Sequence, residues 1–285
     1  QKLLLKTLCV FYVLLALRAE LRERGAFSEK QEPNLTELLD LVALGTVADL
    51  VKLDANNRIL VEQGLRRIRA GACCAGISAL LKVAGRDQSQ VNAQDLGFYV
   101  GPRLNAAGRL DDMRLGIQCL LAGEAEAMTI AQSLHDLNTE RRSIESSMQD
   151  EALASLDNIT VGNQYSISLF EPSWHQGVVG ILASRIKEQY NRPVIAFAEV
   201  DDGLLKGSGR SISGLHLRDA LDMVTKRDPS LIVTFGGHAM AAGLSIPQDR
   251  FLAFQKAFEE VVRELLTPAD LQAVIQTDGG FEAEE

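Results

Sequence analysis

The spacing of apolar positions divides the chain into a helical first half and a second half in which strands alternate with helices. In the first half, apolar residues recur at helical spacing over residues 8–24, 35–43, 57–84 (with a glycine break at 71–76) and 115–121. Residues 124–156 carry an apolar stripe and contain neither Gly nor Pro. This stretch therefore predicts one long amphipathic helix, of the kind that connects two domains.

The second half has the pattern of a small α/β or mixed-sheet domain. Runs of β-branched and aromatic residues predict strands at residues 165–170, 193–198, 204–212 and 231–235, and helical patterns lie at 181–190, 215–224 and 251–266. Such alternation favours a sheet covered by helices. The remaining residues, 267–285, predict a loop, a short strand at 273–276 and an acidic end.

The first apolar run, residues 8–17, follows Lys2 and Lys6 and so imitates a secretion signal. Its ten residues are too few to cross a bilayer as a helix. Because the run continues directly into a charged segment that ends at Gly25, we interpret it as a buried helix and expect no association with a membrane.

Composition narrows the class of protein. Of the 285 residues, 46% are hydrophobic and 24% are charged, which supports sizeable cores rather than disorder. The net charge of −9 argues against bulk attraction to nucleic acid, but it is compatible with a local basic groove or with carboxylates that bind divalent cations. The four cysteines lack metal-ligand or redox spacing, which indicates reduced thiols in a cytoplasmic protein.

The strongest candidate for a ligand site is the junction after the strand at 231–235. Gly236, Gly237 and His238 follow this strand, and a run of small residues then predicts a short helix. The free N–H groups at the start of such a helix, together with its dipole, favour an anion such as phosphate. The alternative is a tight turn in which His238 only caps the helix.

Two further polar clusters lie at the ends of predicted elements in the second half. The segment Gly207–Ser211 combines backbone N–H groups with two hydroxyls and the guanidinium of Arg210, a set of donors that suits a terminal phosphate. His175 lies in the loop before the helix at 181–190.

In the first half, Asp49 is a carboxylate within the apolar run 41–51. Burying a carboxylate is costly unless it is paired or bound to a metal ion, so we prefer a metal ligand or catalytic group. An exposed position at a helix start is the alternative.

Residues 101–112 form a second unusual segment, in which Gly and Pro restrict the backbone and polar groups follow an apolar approach. Its candidate ligand-binding side chains are Arg103, Asn105 and Arg109. Arginine suits bidentate recognition of phosphate or carboxylate. Structural ion pairs with the aspartates that end the segment are the alternative.

Five segments in this order resemble the RecJ family of single-strand-specific 5′-to-3′ DNA exonucleases, which belong to the DHH phosphoesterases. They are residues 41–49, 101–109, 174–181, 207–211 and 235–243, and the resemblance covers nearly the whole chain. It implies an α/β protein made of the C-terminal, mainly helical part of a DHH domain (1–123), a connecting helix (124–156), a smaller α/β DHH-associated domain with the Gly-Gly-His motif (157–266) and the start of an OB-fold (267–285).

The resemblance also implies roles for individual residues. Asp49 matches a metal-binding aspartate and is therefore a candidate catalytic residue. His238 matches the histidine of the Gly-Gly-His motif and is a candidate for both catalysis and substrate binding. The other implied substrate-binding residues are Arg103, Asn105, Arg109, His175, Ser208, Arg210, Ser211, Gly236 and Gly237.

The implied reaction is two-metal hydrolysis of phosphodiester bonds in DNA repair and recombination, with Mn²⁺ or Mg²⁺ as the cofactor. The expected substrate is single-stranded DNA with a 5′ end. A helicase or a single-strand-binding protein is the expected protein partner of a monomeric enzyme.

The chain departs from the family in one respect that bears on activity. It contains no Asp-His-His motif and no Asp-x-Asp motif to supply the first metal ligands. We therefore expect a fragment that lacks these N-terminal motifs and most of the OB-fold, and that hydrolyses little DNA by itself. Two other functions remain open: a phosphodiesterase for oligonucleotides or cyclic dinucleotides, and a non-catalytic nucleic-acid-binding module.

Overall fold

The computed structural model describes residues 6–27, 31–157, 163–200, 203–274 and Gly279. The chain divides into two compact units, Gln1–Arg141 and Arg142–Glu285. The division falls inside α8 (Glu124–Asp157), so this helix contributes residues to both units. The helix predicted over 124–156 is therefore confirmed.

The first unit is helical, as its apolar pattern predicts. Its helices are α1 (Lys6–Glu23), α2 (Leu39–Ala48), α3 (Ala55–Arg69), α4 (Ala75–Val83), the short α5 (Ala93–Asp95), α6 (Gly101–Leu110), α7 (Arg114–Leu121) and the beginning of α8. A π-helical turn, Leu96–Val100, joins α5 to α6. The core contains buried residues from most of these helices, among them Leu44, Ile68, Leu80, Leu96 and Leu134.

Helix α1 is only partly buried, which differs from the prediction for the apolar run 8–17. Leu8 and Phe11 are buried, whereas Val10, Val13 and Leu17 are exposed. The run is apolar on all sides, and α2 and its neighbours cover one side of it. Within the described ranges, no helix combines the length and apolar character needed to cross a membrane.

The second unit is built on a five-stranded mixed sheet. Its strands are β1 (Ile167–Phe170), β2 (Val194–Val200), β3 (Leu204–Arg210), β4 (Thr234–Gly237) and β5 (Ala241–Pro247), in the order β1-β2-β3-β5-β4. β1 and β2 are parallel and are connected through α9 (Val179–Tyr190), whereas the other pairs are antiparallel. Helices α10 (Leu217–Arg227) and α11 (Phe251–Leu265) complete the unit. The predicted α/β fold class is confirmed.

The two faces of this sheet differ because successive strand residues point to opposite sides. Gly207 and Gly209 of β3 lie on the face that packs against α10 and α11, where the rings of Phe197 and Phe254 are 5.5 Å apart. Lys206, Ser208 and Arg210 lie on the opposite face, which α9 covers in part. The polar residues of β3 are therefore directed away from the main core.

The predicted helix after His238 is wrong, because residues 241–247 form β5 between β3 and β4. Ala242, Leu244 and Ile246 are buried and Gly243 is exposed, which is the two-residue period of a strand. The alanines favour helix locally, but pairing with two neighbouring strands outweighs that propensity. Within residues 231–247, all of which are described, His238 therefore does not begin a helix that would bind an anion.

Two expectations reach beyond the described residues. The short strand expected at 273–276 extends past residue 274, and most of the expected start of an OB-fold at 267–285 also lies outside the described ranges.

Candidate functional site

Ser208 and Arg210 form one edge of a polar surface on the second unit. Nη1 of Arg210 donates to Oγ of Ser208 at 3.1 Å and to the carbonyl oxygen of Gly209 at 2.8 Å. Gly180, in the first turn of α9, lies so close that a Cβ atom there would be 3.0 Å from Nη2 of Arg210. The guanidinium is thus oriented by the protein itself, in the planar geometry that suits phosphate.

The neighbouring strands continue this surface as a small-residue face, made of Thr234 and Gly236 of β4 and Ala241, Gly243 and Ser245 of β5. The register places Ser208, Gly243 and Gly236 in one row across three strands. A Cβ atom on Gly236 would meet nothing within 4 Å, and one on Gly243 would meet only a backbone oxygen at 3.9 Å. The face is therefore open enough for a ligand to approach the sheet backbone.

The turn between β4 and β5 carries His238 at one end of this face. Its backbone N–H donates to the Ala241 oxygen at 2.8 Å, and Ala241 is the register partner of Arg210. Nδ1 of His238 accepts the backbone N–H of Met240 at 3.3 Å, so the neutral ring carries its proton on Nε2. Because the residue is exposed, this N–H is a donor that a ligand can reach.

His175 is held in the same tautomer in the loop that enters α9. Its Nδ1 accepts the N–H of Gly177 at 3.1 Å, and its carbonyl oxygen accepts the N–H of Val178 at 2.9 Å. These bonds fix the turn immediately before Gly180. The half-buried His175 is therefore close in sequence to the residue that touches Ser208 and Arg210.

Ser211, in contrast, points into the protein. It is 1% exposed and its hydroxyl donates to the Leu215 oxygen at 2.9 Å. Its backbone N–H donates to the Met240 oxygen at 3.0 Å. The structure thus places Ser211 as a brace between β3 and the His238 turn.

In the first unit, Asp49 follows the last residue of α2. The helix ends there because Leu50 adopts a left-handed conformation (φ 53°), while the N–H of Val51 bonds back to the Thr46 oxygen at 3.1 Å. Val47 lies against Gly97, and Ala48 lies against Gly101. Gly101 is the first residue of α6, the helix that carries the other candidates of the first unit. Asp49 is partly exposed, so the costly burial considered for it does not occur.

Arg103, Asn105 and Arg109 all lie on α6, but in different surroundings. Arg103 is 8% exposed and donates to the Tyr99 oxygen at 2.7 Å and to Nδ1 of His135 at 3.2 Å. Asn105 is exposed and Arg109 is half-buried. The side chain of Arg114 hydrogen-bonds to Asp112 and holds the pKa of that carboxyl below its ordinary value. Asp112 therefore pairs with Arg114, which lies outside the segment 101–112.

The metal centre implied by the family does not fit the described residues of this chain. Among them, no three His, Cys, Asp or Glu side chains are grouped so that they could hold a metal ion. Asp49 offers one carboxylate, whereas hard divalent cations take several oxygen ligands.

Three residues with a place in this site were not among the sequence candidates: Lys206, Gly180 and Gly243. Lys206 and Gly243 are exposed on the face that carries Ser208. Their common signal is position in the strand register, which depends on pairing between distant segments. Gly180 carries no signal of its own, since a glycine in a helix is recognised as a close contact only when its neighbours are known.

Known proteins resemble this chain at two levels. The DHHA1 domain family matches residues 162–264, which include the whole sheet of the second unit. Over 285 residues the chain is 56% identical to the single-stranded-DNA-specific exonuclease RecJ of Dickeya dadantii, a match that covers 96% of this chain and 49% of that protein. The Escherichia coli RecJ is 56% identical over 275 residues, covering 94% of this chain and 48% of that protein.

Solved structures agree with these similarities. A crystal structure of exonuclease RecJ bound to manganese matches with a TM-score of 0.72 and 33% identity, over 87% of this chain and 60% of that one. The RecJ of Thermus thermophilus in complex with Mg²⁺ matches with a TM-score of 0.71 and 33% identity, over 84% of this chain and 36% of that one. The chain therefore belongs to the RecJ family of DHH phosphoesterases, and it spans about half the length of the curated relatives it matches.

Proposed function

We propose that this chain supplies the DNA-binding part of a RecJ-type, single-strand-specific 5′-to-3′ exonuclease. The observation that carries the proposal is the row formed by Ser208, Gly243 and Gly236, an open strip of sheet that lies beside the guanidinium of Arg210. An extended strand can lie along the strip at Gly243 and Gly236, because neither residue carries a side chain and the space above Gly236 is open. A duplex is too wide to approach the backbone in this way.

Within this proposal, Arg210 and the Nε2–H of His238 donate to the phosphate at the 5′ end, and Ser208 orients Arg210. His175 and Lys206 contact the strand from the sides, while Ser211 holds the turn. Gly236 and Gly237 let the strand come close. On the first unit, Asn105 and Arg109 serve as phosphate contacts and Arg103 braces the π-helical turn through Tyr99.

The catalytic metals belong, in this proposal, to the complete protein. We assign Asp49 as one ligand of a centre that uses Mn²⁺ or Mg²⁺ to hydrolyse phosphodiester bonds in DNA repair and recombination. The described residues lack the remaining ligands, so the 285-residue chain hydrolyses little DNA. A degradation assay with Mn²⁺ and 5′-phosphorylated single strands tests this, and robust turnover by the chain would refute it.

The wider context is proposed on the same basis: a monomer in the cytoplasm that works with a helicase or a single-strand-binding protein. The domain division proposed is 1–123, 124–156, 157–266 and 267–285. A phosphodiesterase acting on oligonucleotides or cyclic dinucleotides is the second candidate, since Arg210 and His238 suit any terminal phosphate. Comparing long with very short single strands separates the two.

The central test measures binding without metal, by fluorescence anisotropy of 5′-phosphorylated single strands in the presence of EDTA. Arg210→Ala and Gly243→Val should each weaken binding about tenfold, the first by removing the phosphate contact and the second by filling the strip. Lys256→Ala is the matched control, because it removes a positive charge from an exposed position on α11, which lies on the opposite side of the sheet. Equal binding by all four proteins would contradict the proposal.

A further inference from the structure

Hydrogen bonds join the connecting helix α8 to the loop that leads into α9. Oε2 of Glu151 accepts the indole N–H of Trp174 at 2.9 Å and the hydroxyl of Ser173 at 3.2 Å. Oε1 accepts the hydroxyl of Ser147 at 3.2 Å, which steadies the carboxylate from its own helix. One carboxylate on α8 thus fixes two consecutive residues of the loop.

Trp174 is well placed to transmit this constraint. It is 4% exposed, and its backbone N–H bonds to the Glu171 oxygen at 3.1 Å, so both its ring and its main chain are held. The next residue is His175, whose ring and carbonyl fix the turn into α9. Five residues beyond His175 lies Gly180, in contact distance of Ser208 and Arg210.

A second bond between α8 and α9 lies on the far side of this turn. Oε1 of Glu145 accepts Nε of Arg185 at 3.1 Å. This bond fixes the middle of α9, whereas the Glu151 bonds fix the loop in front of it. The end of α9 that approaches Arg210 is therefore held on both sides, by Glu151 in front of the helix and by Glu145 in its middle.

We propose that Glu151 is a positioning residue for single-strand binding, which acts through Trp174 to hold His175 and Gly180 in register with Ser208 and Arg210. Glu151 itself does not touch the strand. This inference rests on the proposed function, because it assigns the cluster around Arg210 to the DNA. Loss of the Glu151 carboxylate frees the loop, and His175 is then no longer held in a fixed orientation relative to Ser208 and Arg210.

The test uses the full chain and two measurements. Trp174 is the sole tryptophan, so tryptophan emission reports on this loop. Glu151→Ala should shift the emission to longer wavelength and weaken metal-free binding of 5′-phosphorylated single strands about tenfold. Glu151→Gln, which keeps an acceptor oxygen for the indole N–H, should restore most of both. Asp150→Ala is the control, since it removes a negative charge from the exposed neighbouring position.

A double-mutant cycle in binding affinity tests whether Glu151 affects DNA binding through its bond to Trp174 or only through the general stability of the fold. Trp174→Phe keeps an aromatic ring, smaller than the indole, but removes the N–H donor, and it should weaken binding to the same degree as Glu151→Ala. The double variant should then be no weaker than either single one. The cycle also serves if Glu151→Ala folds poorly, because Trp174→Phe and Glu151→Gln still test the same bond.

The outcomes distinguish this inference from the function on which it rests. If the unaltered chain binds and Glu151→Ala binds as Asp150→Ala does, the positioning role is overturned and the proposed function stands. A fluorescence shift without a loss of affinity overturns it as well. If the unaltered chain does not bind single strands, the proposed function fails, and the role of Glu151 fails with it.

Discussion

Gly180 approaches the guanidinium of Arg210 so closely that a Cβ atom at residue 180 would lie 3.0 Å from Nη2. The same atom would lie 2.9 Å from Oγ of Ser208. Both neighbours are ends of side chains, so they can move aside without unfolding the domain. The contact therefore constrains the binding site more than it constrains stability.

Gly180→Ala should accordingly separate binding from stability. Alanine favours a helix by up to about 1 kcal/mol over glycine, which offsets the steric cost, so the unfolding free energy should change by less than about 1 kcal/mol. Affinity for 5′-phosphorylated single strands should fall about fivefold because Arg210 is displaced. Gln189→Ala, at an exposed position on the same helix, should leave affinity unchanged. Full affinity in Gly180→Ala would show that the orientation of Arg210 is unimportant.

Gly64 permits a close approach between α2 and α3. A Cβ atom there would lie 2.2 Å from the Leu39 oxygen and 2.5 Å from Cβ of Ala43, so the two helices would have to separate. Gly64→Ala should destabilise the first unit by about 2 kcal/mol, despite the better helix propensity of alanine. The measurement is urea unfolding followed by circular dichroism.

Gly116→Ala is the matched control for Gly64, since a Cβ atom at Gly116 of α7 would meet its nearest neighbour, a Leu104 methyl, at 3.4 Å. This substitution should be neutral or stabilising by up to about 1 kcal/mol. Similar unfolding midpoints for the two variants would contradict the close packing of α2 on α3.

Asp40 ties α2 to the beginning of α4. Its buried carboxylate accepts the backbone N–H groups of Cys74 and Leu41, each at 2.7 Å. Asp40→Ala leaves the Cys74 N–H without this acceptor and should cost about 2 kcal/mol of unfolding free energy, whereas Asp40→Asn should cost less because it keeps one acceptor. Asp87→Ala, which removes a similar bond to Ser89 at an exposed turn, should cost much less because water replaces the carboxylate.

The local elements of the first unit follow from sequence because their signals are local. The Asn34 side chain accepts the N–H of Thr36 just before the helix predicted over 35–43, and α8 (Glu124–Asp157) matches the helix predicted over 124–156. The segment after His238 was predicted wrongly because Ala and Gly side chains are too small to show a clear period. Only pairing with β3 and β4 decides that it is a strand, and such pairing links residues distant in sequence.

The candidate site shows the same division between residue type and residue orientation. Ser208 and Ser211 look equivalent in the sequence. In the structure Ser208 lies beside the small-residue face, whereas Ser211 follows the end of β3 and is buried. Arg103 and Asn105 are two residues apart on one helix, so they point to different sides, one inward and one outward. The sequence thus predicts which residue types could bind phosphate. It does not predict which of them face the solvent, because that depends on strand register and on the rotation of each helix.

The decrease of the unfolding free energy at alkaline pH should depend on Cys74. Burial raises the pKa of its thiol to about 12, whereas the thiol of an unfolded chain has a pKa of about 8.5. Below about pH 8.5 both states keep the proton, so the stabilisation is fully present there. As the pH rises towards 12, the unfolded state loses the proton first, and the unfolding free energy falls by at most about 1.4 kcal/mol per pH unit. Partial exposure of Cys74 narrows the difference between the two pKa values and so reduces the total loss of unfolding free energy.

Cys74→Ala removes this ionisation, so the difference in unfolding free energy between the unaltered chain and Cys74→Ala should be constant from about pH 7 to pH 8 and should shift in favour of the variant by about pH 10. Urea titrations at a series of pH values measure this difference. Cys9→Ala, which removes an exposed thiol, is the control for the loss of a cysteine. A difference for Cys74→Ala that stays constant up to pH 10 would mean that the thiol ionises as readily in the folded chain as in the unfolded one, which its contacts at the start of α4 argue against.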